Sequence, residues 1–589
     1  MVKIGPAFFD YVSSEKIGRK KNFGNFISFE ILSLFPILFL ILFSTIIILR
    51  LFYVQILRGD YYSNLSDENR TRTEVLAAPR GIIYDRRDKP LVANSPSFKI
   101  PEGEKVKRLS RDEALKLISA GKPVENDIQR EYLYKDVFAH VLGFLGQVSE
   151  DEIILPGFSE YGISDFVGKI GLEAEYEKML HGKNGKKLSE VDSEGKFIRE
   201  LGKQEPTAGE NLRTTLDLDI QKAVHDAFSD YTRGAAVVSD PRNGAILALY
   251  SKPSFDPNVF THDESYEAPG EYKYRESILN DSEKQPLLNR AISGSYPPGS
   301  TFKLVTAIAG LESGAIKSST IIEDTGILRV GSFSFGNWYF LQYGKTEGSL
   351  DVVRAIKRSN DIFFYKTGER TGVDTISSYA NKFGLGKKLG IDLPGEIQGT
   401  VPSPSWKEKT IGEQWYLGDT YNYGIGQGYL LTSPLQINMM TAAFANGGTL
   451  YEPHLFKNKK LKIKNKKLVD KQYIDLVREG MRQSCETGGV AWPLFDFKVK
   501  NERLPIDGKD FIEDDATSSA KMTKIKIACK TGTAEVGDKE TKPHAWITLF
   551  APFYKPEIAI TVLVENSGEG SSVAGPIAKK ILIDYFEKK

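Results

Sequence analysis

A chain of 589 residues is too long for one hydrophobic core and predicts about two to four domains. Its 78 basic and 77 acidic side chains leave a net charge of +1, which gives no footprint for a nucleic-acid partner. Two cysteines, Cys485 and Cys529, exclude a disulfide framework and a four-thiolate metal site. Two separate buried thiols are the expectation for them, with a single disulfide in an oxidising compartment as the alternative. The six histidines are scattered and show no ligand spacing.

Residues 1–26 are polar and basic, and nineteen residues without a charge follow from Ile31 to Leu49. Apolar character continues to Leu57, so residues 27–57 predict a transmembrane anchor rather than a cleaved signal peptide. Lys3, Lys16, Arg19, Lys20 and Lys21 place residues 1–26 in the cytoplasm and everything after the anchor outside it.

Residues 58–208 are charged and mixed and read as a non-catalytic spacer. Ala78 to Arg87 predicts a turn entering a short strand, and Lys135 to Val148 a strand or helix ending in Gly143 and Gly146. Leu172 to Leu180 predicts one amphipathic helix closed by Gly182, and Ser189 to Glu200 an exposed hairpin. From 209 onward the pattern changes to a helix over Ile220–Phe228 and a hairpin of Ala235–Val238 with Ala245–Leu249. Near the end, Ile525, Ile527 and Cys529 alternate as a half-buried strand, and Trp546–Phe550 and Ile558–Val564 add two more. Strands at both ends with helices between them predict an α+β domain over 209–589, built on an antiparallel sheet. Asn501 to Thr523 reads as a mobile loop.

Tyr296-Pro297-Pro298-Gly299 stops any helix before Ser300, and an apolar run from Leu304 follows. Ser300 therefore falls on the first turn of a buried helix, with Lys303 over the same face. A serine beside a desolvated lysine is a nucleophile with its base. The tetrapeptide Ser-x-x-Lys also begins at Ser13, Ser119, Ser193 and Ser518, so the spacing alone leaves a capped core helix open. Ser359-Asn360-Asp361 opens a second amphipathic run, where Ser359 is either an N-cap or a proton relay and Asp361 a partner for the lysine. Lys530-Thr531-Gly532-Thr533 lies on a strand whose edge suits a substrate carboxylate and an extended peptide. A second Lys-Thr-Gly, at Lys366, reads as structural with Gly368 as a helix C-cap.

The ordered triple Ser-x-x-Lys, Ser-x-Asp and Lys-Thr-Gly resembles that of the class B penicillin-binding proteins, and most closely their elongation transpeptidases. The anchor, Arg80-Gly81-Ile82-Ile83-Tyr84-Asp85-Arg86, Gly171-Leu172-Glu173 and Gly424-Ile425-Gly426-Gln427-Gly428 extend the resemblance over nearly the whole chain. Tyr296-Pro297-Pro298-Gly299 and Asp361 lean to the elongation group; the septal group is the alternative.

The resemblance implies a penicillin-binding, serine β-lactamase-like domain on an elongated pedestal. It implies D,D-transpeptidation of peptidoglycan stem peptides through an acyl-enzyme on Ser300, blocked by β-lactams. Lys303 would take the serine proton, Ser359 would relay it, Asp361 would hold Lys303, and the backbone N–H groups of Ser300 and Thr533 would form the oxyanion hole. Lys530, Thr531, Gly532 and Thr533 would bind the donor terminus. A polytopic glycosyltransferase of the shape, elongation, division and sporulation family and elongation scaffold proteins are implied partners. No cofactor is expected, and no zinc, because no His or Cys lies between Lys303 and Ser359. The motifs do not separate a transpeptidase from a D,D-carboxypeptidase, a β-lactamase or a β-lactam sensor. The anchor and spacer favour the first.

Overall fold

The computed structural model describes residues 29–102, 105–122, 124–155, 161–162, 165–192, 196–514, 522–538 and 540–589. Two compact units emerge, Met1–Val75 with Lys186–Gln204, and Leu76–Gly185 with Glu205–Lys589.

In the first unit, helix Phe29–Phe52 continues through a wider turn at Tyr53–Leu57. The stretch Phe35–Leu57 is long and apolar enough to cross a membrane, and none of it is buried within the protein. A soluble helix so apolar would hide its side chains in a core, so this one is a candidate anchor. The expected cytoplasmic segment 1–26 lies outside the described residues. The predicted hairpin is present as Gly185–Val191 against Phe197–Gln204, and its second strand is exposed along its length.

The second unit begins with a five-stranded sheet in which Pro90–Glu102 pairs with Glu125–Tyr132 and Ile83–Tyr84 runs parallel to Leu212–Arg213. The single helix expected at Leu172–Leu180 is two short turns, Gly171–Glu175 and Glu177–Leu180, broken at Tyr176. Within the first turn, Glu173 is buried between Arg80 (2.9 Å) and Arg130 (2.7 Å). Lys135–Val148 resolves into a 3-10 turn, the short helix Ala139–Leu142 and the strand Leu145–Gln147.

The rest of this unit contains, in chain order, α1 (Leu218–Ala227), β1 (Gly234–Ser239), β2 (Ile246–Lys252), α2 (Lys303–Glu312), α3 (Val352–Arg358) and α4 (Asp361–Thr371). There follow α5 (Pro434–Ala445), α6 (Lys471–Ser484), β3 (Ala528–Ala534), β4 (His544–Ala551), β5 (Ile558–Val564) and α7 (Gly575–Glu587). The strands form one antiparallel sheet in the order β2-β1-β5-β4-β3. Successive residues of β1 point to opposite faces. Ala236 and Val238 join Ile220, Val224, Ile577 and Ile581 in one core, while Ala235 and Val237 join α2 and α5 in the other. Both faces are covered, which is why β4 and β5 are buried throughout and mostly apolar rather than alternating.

Four expectations need correction. Ile525 to Cys529 is not one strand: Met522–Ile525 belongs to a separate three-stranded sheet, and β3 starts at Ala528. The loop expected over Asn501–Thr523 contains the strand Phe511–Asp514, paired with Met522–Ile525, while residues 515–521 lie outside the described residues. Gly368 does not cap a helix; it lies inside α4, which is capped at Gly372. Cys485 and Cys529 are joined by a disulfide rather than being separate thiols. Cys485 caps the C-terminus of α6, which packs on β3, so the two Cα atoms lie 5.9 Å apart despite a sequence separation of 44.

Candidate active site

Ser300 sits in a 3-10 turn, Gly299–Thr301, that feeds into α2, so it lies just before the helix rather than within its first α turn. Three neighbours fix this turn. Gly299 N–H donates to Gly426 O at 2.9 Å, Thr301 Oγ1 donates to Pro298 O at 2.8 Å, and Trp546 Nε1 donates to Pro297 O at 3.1 Å. Gly299 has φ +53°, and a Cβ there would meet Thr533 O at 2.7 Å. Only glycine lets the serine turn lie this close to the β3 backbone. The Ser300 side chain is half-buried, with surface left for an incoming group.

Lys303, the first residue of α2, is 0% exposed. Its Nζ donates to Asp361 Oδ1 at 2.5 Å and to Ser359 O at 2.8 Å, and lies 3.5 Å from Ser359 Oγ. Burial pushes the Lys303 amine below the usual lysine range, while Asp361 and Glu347 hold it partly up. The expected pairing of Lys303 with Asp361 is therefore present.

Ser359 is neither an N-cap nor part of a helix. It closes α3 with φ +54°, and Asn360 caps α4 by accepting from Phe363 N–H at 2.9 Å. The left-handed turn aims the Ser359 hydroxyl between two lysines. Lys530 Nζ donates to Ser359 Oγ at 2.7 Å and to Thr531 O at 2.9 Å. Lys530 is also 0% exposed, and burial followed by repulsion from Lys303 pushes its amine well below the usual range. Two lysines that share one hydroxyl in a dry site cannot both hold a proton cheaply.

β3 is the terminal strand of the sheet, as the edge reading required. A Cβ on Gly532 would come within 3.0 Å of Pro298 O, so the strand and the serine turn are packed against each other. Thr533 Oγ1 accepts from Gly570 N–H at 3.3 Å, and Thr533 O accepts from Gln427 Nε2 at 3.4 Å. Among the described residues no cluster of three His, Cys, Asp or Glu side chains converges as metal ligands would.

The structure thus brings Lys303, Ser359, Asp361 and Lys530 into direct contact, with Ser300, Gly532 and Thr533 beside them. Sequence reasoning missed Asn337, whose Oδ1 accepts from Asp361 N–H at 3.0 Å, and Trp338, whose backbone N–H donates to Asp361 Oδ2 at 2.9 Å. Neither carries a local signal. The Gly299–Gly426 contact had one, the glycine-rich run 424–428.

Residues 234–583 match the family model of the penicillin binding protein transpeptidase domain, and residues 103–214 that of the penicillin-binding protein dimerisation domain. The peptidoglycan D,D-transpeptidase MrdA of Acinetobacter baumannii is 32% identical over 91% of this chain and 84% of its own. A penicillin-binding protein 2 solved in complex with MreC, from Helicobacter pylori, superposes with a TM-score of 0.70 at 29% identity, covering 88% of this chain and 99% of that one. A chain solved in a study of how a peptidoglycan synthase complex coordinates polymerization and crosslinking gives 0.71 at 28% identity, covering 95% and 98%. With its ordered motifs assembled in one site and a family model matched across most of the second unit, the chain belongs to the class B penicillin-binding proteins, of the penicillin-binding protein 2 type.

Proposed function

We propose that this protein is a peptidoglycan D,D-transpeptidase that cross-links stem peptides during cell elongation. The observation that carries the assignment is the convergence of Lys303 and Lys530 on Ser359, beside the turn that presents Ser300.

In this reading the Ser300 hydroxyl attacks the carbonyl carbon of the penultimate D-Ala of a donor peptide. Neutral Lys303 takes the serine proton, a role suited to an amine whose proton affinity is reduced by burial. The backbone N–H groups of Ser300 and Thr533 stabilise the oxyanion. Ser359 passes a proton to the departing D-Ala nitrogen, the C–N bond breaks, and an ester to Ser300 remains. The amine of a second stem peptide then attacks this ester, forms the new amide and returns the proton to the site. Lys530, Thr531 and Thr533 bind the donor's terminal carboxylate, an anion that favours the protonated form of an amine held low by burial and by Lys303. Gly532 on the β3 edge allows the donor backbone to align as an added strand. A β-lactam follows the same path to a stable ester.

Residues 27–57 would anchor the protein with residues 1–26 in the cytoplasm, 58–208 would serve as the pedestal, and 209–589 would carry the chemistry outside. The solved MreC complex of a relative supports scaffold proteins of the elongation machinery as partners. The neighbour from a synthase complex that coordinates polymerization and crosslinking supports a polymerising partner, the place the expected polytopic glycosyltransferase would take.

Replacing Ser300 with Ala abolishes covalent labelling by a fluorescent penicillin; labelling at full stoichiometry overturns the assignment. Cross-linked dimers from purified protein and substrate distinguish transpeptidation from hydrolysis. Depletion in the native cell gives round cells for an elongation role and filaments for division.

A further inference from the structure

Behind Asp361 lies a buried polar cluster that the mechanism above does not use. Its hub is Asp324, whose Oδ1 accepts from Gly326 N–H at 2.8 Å. Its Oδ2 accepts from Asn337 Nδ2 at 2.9 Å, Asn360 Nδ2 at 2.9 Å and Glu347 N–H at 3.0 Å. Asp324, Asn337 and Asn360 are all buried. Because both amide NH2 groups are committed to Asp324, the two amide oxygens must face the catalytic turn. Asn337 Oδ1 accepts from Asp361 N–H, and Asn360 Oδ1 accepts from Phe363 N–H. Trp338 N–H, one residue on from Asn337, takes Asp361 Oδ2 and leaves Oδ1 to Lys303. On the other side of the turn, Glu347 Oε1 accepts from Arg358 Nε at 2.5 Å, immediately before Ser359. The turn is thus gripped on both flanks, and Ser359 itself is held at a positive φ that a serine rarely adopts.

We propose that Asp324, Asn337 and Glu347 are positioning residues for the transfer reaction: they fix the carboxylate of Asp361 and the backbone of Ser359, and through them the Lys303 amine, for proton transfer from Ser300. This rests on the reading of Ser300, Lys303 and Asp361 given above. A buried polar cluster contributes less to stability than apolar packing of the same volume. Its donors and acceptors are instead arranged around a single turn, which fits orientation of that turn. The cluster also sets a field. The charged groups that face Lys303 are Asp361 from α4, Glu347 with its partner Arg358, and Lys530 from β3. The negative charge of Glu347 supports the protonated amine.

The test measures second-order acylation by a fluorescent penicillin against pH, with end-point stoichiometry, for the full-length wild type, Asp324→Asn, Asn337→Ala and Glu347→Gln. All three variants should label to full stoichiometry, with rates reduced about 10- to 100-fold for Asp324→Asn and Asn337→Ala, the scale of one hydrogen bond to a charged group. Glu347→Gln should move the acid limb of the rate profile to lower pH, because Lys303 then loses its proton more readily. Wild-type rates in all three variants overturn the proposal. So does a lower stoichiometry with an unmoved acid limb, which marks loss of folded protein only. Full labelling of Ser300→Ala would instead sink the underlying assignment.

Discussion

Lys530 donates a hydrogen bond to Ser359 across 171 positions of sequence, over 2.7 Å, and Lys303 approaches the same oxygen from the opposite end of the motif set. One hydroxyl therefore links the base of the first motif to the carboxylate-binding lysine of the third. Replacing Ser359 with Ala should cut that link while leaving the nucleophile in place. The acylation rate should fall about 10²- to 10⁴-fold, the range for a lost proton-transfer group, with full labelling reached at long times. An unchanged rate constant would remove Ser359 from the relay.

The buried charge on Lys530 has a cost that the fold carries. Its amine is pushed well below the usual range, so the folded chain binds that proton less tightly than the unfolded chain does. Below the folded value both states are protonated and the penalty is complete. It shrinks as pH rises from the folded value toward the unfolded value of about 10.5 and is gone above it. Lys530→Met should therefore be inactive yet more stable than wild type at neutral pH, by about 0.5–2 kcal/mol. The advantage should narrow as pH rises. Thermal melting of both proteins across pH checks the sign, and a variant that melts lower at neutral pH would refute it.

Gly426 is where the serine turn is most easily dislodged. A Cβ there would sit 2.1 Å from Gly299 O, at φ +80°. Gly426→Ala should cost about 1–3 kcal/mol in backbone strain and slow acylation, because the turn that holds Ser300 must shift. Gly508 offers the contrast: its φ is +68°, but nothing lies within 4 Å. Gly508→Ala should leave acylation intact. Equal acylation by the two variants would show that the Gly299–Gly426 contact does not set the serine.

The disulfide makes a separate prediction. Denatured, unreduced protein should present no thiol to an alkylating reagent, since the two cysteines of the chain pair with each other. Cys485→Ser with Cys529→Ser should lower stability by about 2–4 kcal/mol, read by denaturant unfolding. Two alkylated thiols in the unreduced wild type would contradict the bond.

Much of this was legible in the residues. The hairpin at 235–249 follows from its turn residues and flanking apolar runs, and the three motifs were legible through their order, which resembles that of the family. What escaped lies where a tertiary contact overrides a local pattern. Glu173 looks like a solvent-facing helix residue until Arg80 and Arg130 arrive from two other strands of chain. Ser359 looks like an N-cap, but the capping role passes to Asn360, because the preceding helix ends in a left-handed residue. Asn337 and Trp338 precede Asp361 by 24 and 23 positions, and no spacing rule connects a loop amide to a carboxylate that far along. The Cys485–Cys529 pairing is of the same kind, set by how α6 lies on β3.

The catalytic sheet closes late in biosynthesis. β1 lies beside β5, so the strand made near residue 234 waits for the one ending at Val564 before it has its second neighbour. A growing chain in which Ser300, Lys303 and Ser359 have already been made still lacks Lys530 and the strand that carries it. A β-lactam present during synthesis therefore meets an inert polypeptide, and the enzyme becomes vulnerable only once its last strands have been made.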